Sequence, residues 1–258
     1  MRRGARGRFF QGAAGMLVLA LGASAADAQP RRPRAPREPR VFVTVGAGAL
    51  TGTEATDRVE WLEHVEIAVA NVSYGSGARR LVGGSVGVRL WRQLGAGVAF
   101  TSASHEGAAG VEGRIPHPFH YEQPRDISGE TGALSRSETG LHLQVLYIVP
   151  TTGRVGLMLS AGPSRISARQ DTVTRVQFTE AFPFDTAAFQ RADTRALSAS
   201  APGFNAGAEA TYMFTRSLGV VGLVRFTRAS IALMRPDGDR LSLDAGGVQA
   251  GAAVRVAF

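Results

Sequence analysis

Eight stretches of this chain alternate apolar residues with small or polar ones at a period of two, and few folds accommodate that pattern. Val41, Val43, Val45, Ala47 and Ala49 share one parity, with Thr44, Gly46 and Gly48 on the other. The same alternation runs through 81–91, 94–104, 135–149, 154–164, 203–214, 218–228 and 247–258. In 135–149, Leu141, Leu143, Val145, Tyr147 and Val149 alternate with Arg136, Glu138, Gly140, His142 and Gln144. Side chains of a strand point to opposite faces in turn, so each stretch predicts a β-strand with one apolar face. Each is also long enough for a tilted membrane strand of roughly 9–11 residues.

The connections sharpen this reading. Arg92-Gln93, Pro150-Thr151-Thr152-Gly153 and Thr215-Arg216-Ser217 are tight turns. The other four connections, about 51–79, 107–133, 170–199 and 234–243, are long. Short and long alternate along the chain, as they do in a transmembrane barrel with short periplasmic turns and long outer loops. The expected fold is all-β, an eight-stranded antiparallel up-and-down transmembrane β-barrel over 41–258. A soluble barrel or sandwich would show the same alternation. Small Ala and Val would fill its core poorly, however, and a Gly-rich opposite face suits a narrow lumen better than a solvated surface.

The N-terminus predicts export. Arg2, Arg3, Arg6 and Arg8 precede a short apolar core, Ala13 to Ala20, and Ala26-Asp27-Ala28 fits a small-x-small cleavage site. Residues 1–28 are therefore expected to be a signal peptide, and the Pro/Arg-rich stretch 29–40 an extended periplasmic tail. Nine of the Arg residues lie in 1–40 against Asp27 and Glu38, whereas 41–258 holds twenty Arg against nineteen acids. The basic charge thus belongs to the leader and tail, and a nucleic-acid partner is not expected. There is no Cys, which excludes disulfides and thiol chemistry, and no Lys, which excludes a Schiff-base lysine or a phosphate loop that needs one.

The last strand, Gly247 to Phe258, ends on an aromatic residue with Val254 and Val256 on the same face. With the tight turns and the leader, it resembles the small eight-stranded outer-membrane barrels, the class of outer-membrane proteins A, X and W. The resemblance implies an outer-membrane location and a monomer set in outer-membrane lipid and lipopolysaccharide. It also implies that Phe258 is the signal read by the barrel-assembly machinery. Aromatic residues make up only 7% of the chain, few for a barrel with girdles at both interfaces. Trp91, Tyr147, Phe214 and Phe258 nevertheless fall near the ends of downward strands, where a periplasmic girdle belongs. Trp91 has the inward parity, so a bulge or a rim position is needed to account for it.

The inward parity defines the candidate site. Arg89, Arg136, Glu138, His142, Gln144, Asn205, Glu209, Arg225, Gln249 and Arg255 should line the lumen. An eight-stranded barrel is just wide enough for its side chains to fill it, and buried charges there must be paired. The lumen is expected to hold a packed polar network rather than a solute path. A second candidate is an aromatic loop surface, with Phe119 and Tyr121 in one loop and Phe178, Phe182 and Phe184 in another. Thr172 to Phe178 alternates again, so these loops are expected to prolong strands and pack over the mouth. His117 and His120 are spaced for a metal, but Pro118 between them denies a regular helix face, and no metal or cofactor is expected. Gly140 and Gln144, beside His142 on its own face, offer no hydroxyl nucleophile, so catalysis is not expected either. The expected role is structural or surface-interacting through the long outer loops; a small-solute or hydrophobic-compound channel and a lipid-modifying outer-membrane enzyme are the alternatives.

Overall fold

A computed structural model describes residues 40–52, 55–75, 77–234 and 240–258. The expected signal peptide and most of the basic tail lie outside them. Twelve strands follow in order: β1 (Val41–Leu50), β2 (Ala55–Glu63), β3 (Glu66–Tyr74), β4 (Arg79–Trp91), β5 (Leu94–Gly107), β6 (Ala109–Ile115), β7 (Arg125–Glu130), β8 (Leu134–Val149), β9 (Val155–Glu180), β10 (Ala187–Met213), β11 (Leu218–Met234) and β12 (Arg240–Ala257). Eight of them close into an antiparallel barrel in the order β1-β12-β11-β10-β9-β8-β5-β4. β1 closes the ring, pairing with β12 from Phe42–Ala257 to Leu50–Gln249 and with β4 from Val41–Val88 to Leu50–Arg79.

The predicted faces are the observed ones. Val45 and Val145 are each 64% exposed on the outside, as are Val86, Leu143, Leu159, Val224 and Val254 in part. Thr44, His142, Gln144, Glu209, Arg225 and Arg255 are buried inside. A soluble barrel would place the valines inward. Nine or ten residues of tilted strand make an apolar belt about 25 Å tall, the height of a bilayer's hydrocarbon band. Trp91, Tyr147, Phe214 and Phe258 are exposed at its turn-bearing end. Phe100, Phe204 and Phe226 are exposed near the other, with Phe204 and Phe226 5.8 Å apart. Of the two accounts of Trp91, the structure shows a bulge: the register shifts between Arg89 and Trp91, and the indole is exposed.

Above the belt the strands continue while the polarity of their faces reverses. On β11 the outward series runs Leu218, Val220, Val224, Phe226 and then Arg228 and Ser230. The inward series runs Arg225, Thr227 and then Ala229, Ile231, Leu233. β9 does the same, with Ile166 and Ala168 inward and Arg165, Ser167 and Arg169 outward. Ile166, Ala168, Ala229, Ile231, Leu233, Leu243 and Ala245 form an apolar core inside this upper ring. The outside has passed from hydrocarbon to water, so the hydrophobic effect now drives apolar residues inward.

Three of the four expected long connections are built largely of strands; residues 235–239 of the fourth, 234–243, lie outside the described residues. Residues 51–79 contain the β2–β3 hairpin and 107–133 contain β6–β7; together they form a second sheet in the order β2-β3-β6-β7. The expected connection 170–199 is instead a continuation of β9 and β10, paired as far as Ala187–Glu180. The four-stranded sheet lays Val59, Ala70, Val72, Val111 and Ile127 on Val173 and Val176 of that arm, with Phe178, Phe189 and Ala192 packed alongside. Its edges are tied down by Arg175 to Glu63 at 2.7 Å and by Arg125 to Glu180 at 2.6 Å. The Val173 amide also donates to Tyr74 Oη at 3.2 Å. The product is a small β-sandwich head fused to the barrel's outer end.

Candidate functional site

The lumen is filled by two charged clusters with a neutral layer between. In the upper cluster, Glu138 of β8 accepts from Arg79 of β4, and from Arg136 Nε and Nη2 at 3.0 and 2.7 Å. Its second oxygen accepts the Gly246 amide at 3.0 Å. Arg136 Nη2 also donates to the Asp244 carbonyl at 3.1 Å. Gly246 and Gly247 have φ of 100° and 135°, a conformation that other residues resist, and this twist brings the Gly246 amide to the carboxylate.

In the lower cluster, Glu209 of β10 accepts from Arg255 of β12 and lies 3.8 Å from Arg225 of β11. Arg255 also donates to Thr44 Oγ1 at 3.1 Å and Thr211 Oγ1 at 2.9 Å, and stacks 4.5 Å over the Phe42 ring. Arg255 is thus held by neighbours on β1 and β10, whereas Arg225 meets the carboxylate of β10. Glu138 and Glu209 each belong to their own arginine pair, so they are not a carboxylate dyad for acid–base work.

The layer between is neutral. His142, 0% exposed, meets Thr101 Oγ1 at 2.9 Å and Ser164 Oγ at 2.8 Å. These hydroxyls come from β5 and β9, whereas the neighbours of His142 on its own strand carry none. Either tautomer is satisfied, because a hydroxyl can donate or accept. Asn205 donates to the Gly162 carbonyl and Ser164 Oγ, both at 2.9 Å, and accepts from Gln144 at 3.2 Å. Gln249 donates to Thr227 Oγ1 at 3.2 Å. Among the described residues, cavities of about 30 and about 10 Å³ are bordered by these groups, each large enough only for water. Arg89 is half-buried near the turn-bearing end, where its amide donates to the Arg40 carbonyl at 2.7 Å.

Sequence reasoning missed Arg79, Thr101 and Ser164. Arg79 was assigned to a loop, yet it keeps the inward parity of Leu81 and Gly83, and extending the strand by two residues finds it. Thr101 and Ser164 carry the right parity too; only the register places them beside His142.

The aromatic candidates divide. Phe119, Tyr121 and Phe182 are 73%, 72% and 86% exposed. Phe184 joins them, 5.4 Å from Phe119 and 6.1 Å from Phe182. Phe178, by contrast, packs into the head core and is not part of the exposed surface. Three turns converge here: Glu122 N–H donates to Glu66 at 3.2 Å, and His64 lies 3.7 Å from Glu180. Leu62, Val65 and Ile67 are exposed on the same end of the head. His117 is buried, and its Nδ1 accepts the Phe119 and His120 amides at 3.1 and 3.2 Å. That nitrogen shapes the turn rather than facing a metal, and among the described residues no group of three or more ligating side chains could hold one.

No protein-family model matches the chain, and no curated protein matches it. Solved structures of similar fold include Neisserial surface protein A, at 14% identity, covering 84% of this chain and 97% of that one with a TM-score of 0.47. Outer membrane protein OprG from Pseudomonas aeruginosa is 9% identical, covering 86% and 97% with a TM-score of 0.45. Outer membrane protease OmpT from Escherichia coli is 11% identical, covering 85% and 97% with a TM-score of 0.47.

Proposed function

We propose that the protein resides in the outer membrane as a closed, non-conducting barrel and acts at the cell surface through the rigid head, without catalysis. One observation carries this reading: a barrel with an apolar belt and a plugged lumen holds out a packed sandwich whose far end exposes Phe119, Tyr121 and Phe182. Large exposed aromatics grouped on a fixed scaffold favour contact with another surface, because their ordering entropy has already been lost. The basic leader and short apolar core support export, and the belt height supports insertion. The full burial of His142 supports a role without catalysis, since no lipid substrate reaches its hydroxyl neighbours.

The test uses cells expressing the full chain. The protein is expected in the outer-membrane fraction and to shift in mobility on boiling. Cells should adhere to extracellular-matrix proteins or to one another at least threefold above vector controls. A Phe119→Ser, Tyr121→Ser, Phe182→Ser variant should return to the control level while keeping the heat shift. Equal adhesion by this variant would overturn the surface role.

A further inference from the structure

Directly above the belt, the outward face of β8, β9 and β10 carries an unusual polar field. Ser137, Arg169 and Ser198 form one cross-strand row, and Thr139, Ser167 and Ser200 the next. Arg165 stands in the row below, flanked by Leu141 and Pro202, where the belt begins. Small side chains beside Arg169 leave a depression of about 340 Å³ open to the outside, and Arg165 meets its rim at Ser200. Four residues of strand set the arginines about 13 Å apart.

Neither arginine has a carboxylate partner among the described residues. Arg165 donates only to Ser200 Oγ, at 3.0 Å. Two other outward arginines are neutralised, Arg228 by Asp244 at 3.5 Å and Arg175 by Glu63 at 2.7 Å. The carboxylate one outward step above Arg169, Asp171, accepts the Ser135 amide at 3.0 Å. Two uncompensated guanidiniums with a hydroxyl floor between them match phosphate and sugar hydroxyls together. Because the field begins where the belt ends, a ligand with acyl chains can lay those chains on Leu141 and Phe204 while its head meets the arginines.

We propose that this face binds the phosphorylated sugar headgroup of lipopolysaccharide, with Arg165 and Arg169 on phosphate oxygens and the serine and threonine hydroxyls on the sugar. The proposal rests on the outer-membrane placement above and names the lipid that placement would present to it.

The test is binding of purified, folded full-length protein in detergent to lipopolysaccharide, with the boiling shift as the independent check of the barrel. Wild type should bind, and an Arg165→Ala, Arg169→Ala variant should bind at least tenfold more weakly. Arg228→Ala should bind as wild type does, because Arg228 already faces Asp244. Dephosphorylated lipopolysaccharide should bind at least tenfold more weakly than the native lipid. Inorganic phosphate and phosphatidylglycerol micelles should fail to compete at equal phosphate concentration. Undiminished binding by the double variant or by the dephosphorylated lipid, with the boiling shift intact, overturns the proposal and leaves the placement standing. Competition by inorganic phosphate or phosphatidylglycerol overturns the assignment to lipopolysaccharide. Loss of the boiling shift in wild type overturns the placement and this site with it.

Discussion

Glu138 and Glu209 each compensate two arginines inside the ring, and their removal has an asymmetric effect. Replacing a whole buried ionic cluster by apolar residues can be nearly neutral, but removing one partner strands the charges that remain. Glu209→Gln leaves Arg225 and Arg255 without a carboxylate and should destabilise the folded barrel by about 3–5 kcal/mol. Urea unfolding in lipid bilayers measures this; an unchanged midpoint would mean that the cluster is incidental to folding. Gly246 is the second sensitive position. A methyl group there would overlap the Thr227 carbonyl at a φ of 100°, so Gly246→Ala is strained twice over. The variant should lose about 1–3 kcal/mol in the same assay. Thr139→Ala, outward on β8, should lie within about 0.5 kcal/mol of wild type.

At the scale of elements, the head should come apart without the barrel. Val72 is 0% exposed at the centre of the sandwich core. Val72→Asp buries an unpaired carboxylate there and should open the sheet, so that its backbone becomes cleavable by trypsin after Arg58, Arg114 and Arg125, while the boiling shift of the ring persists. Co-operative loss of both would show the head to be part of the ring's folding unit. The eight ring strands were legible because a single-parity apolar face spans each of them, as Leu141 to Val149 does. The head was not, because Asp57, Val59 and Trp61 alternate over too short a run, and β6 and β7 hold only 7 and 6 residues. The upper halves of β9 and β11 were misjudged for another reason. Past Ser164 and Thr227 the apolar residues change parity, which reads as the end of a strand unless the solvent outside is known to change. Within the site, parity revealed the charged residues one strand at a time. Their grouping was hidden, since the pairing of Arg79 with Glu138 and of His142 with Ser164 depends on register and ring order.

For the whole molecule, the two faces make opposite demands at the same height. Outside, Val224 is exposed on the belt, while its neighbour Arg225 is buried against Glu209. Val224→Arg would set a guanidinium in hydrocarbon near the middle of the belt, at a cost of about 2–4 kcal/mol. The same substitution at Ser167, above the belt, should cost under about 1 kcal/mol. The difference, measured by bilayer unfolding of the two variants, locates the lipid boundary; equal costs would remove the belt from the membrane. The interior sets the remaining property. The cavities of about 30 and about 10 Å³ beside the arginine–carboxylate clusters are too small for a hydrated ion, so passage there requires the clusters to part. Planar bilayers containing wild type should therefore show no steady single-channel openings. The Glu209→Gln variant frees two arginines of like charge to move apart, and any conductance it acquires should prefer anions. Steady wild-type openings would mean that the clusters part spontaneously, and the lumen would then be a path rather than a plug.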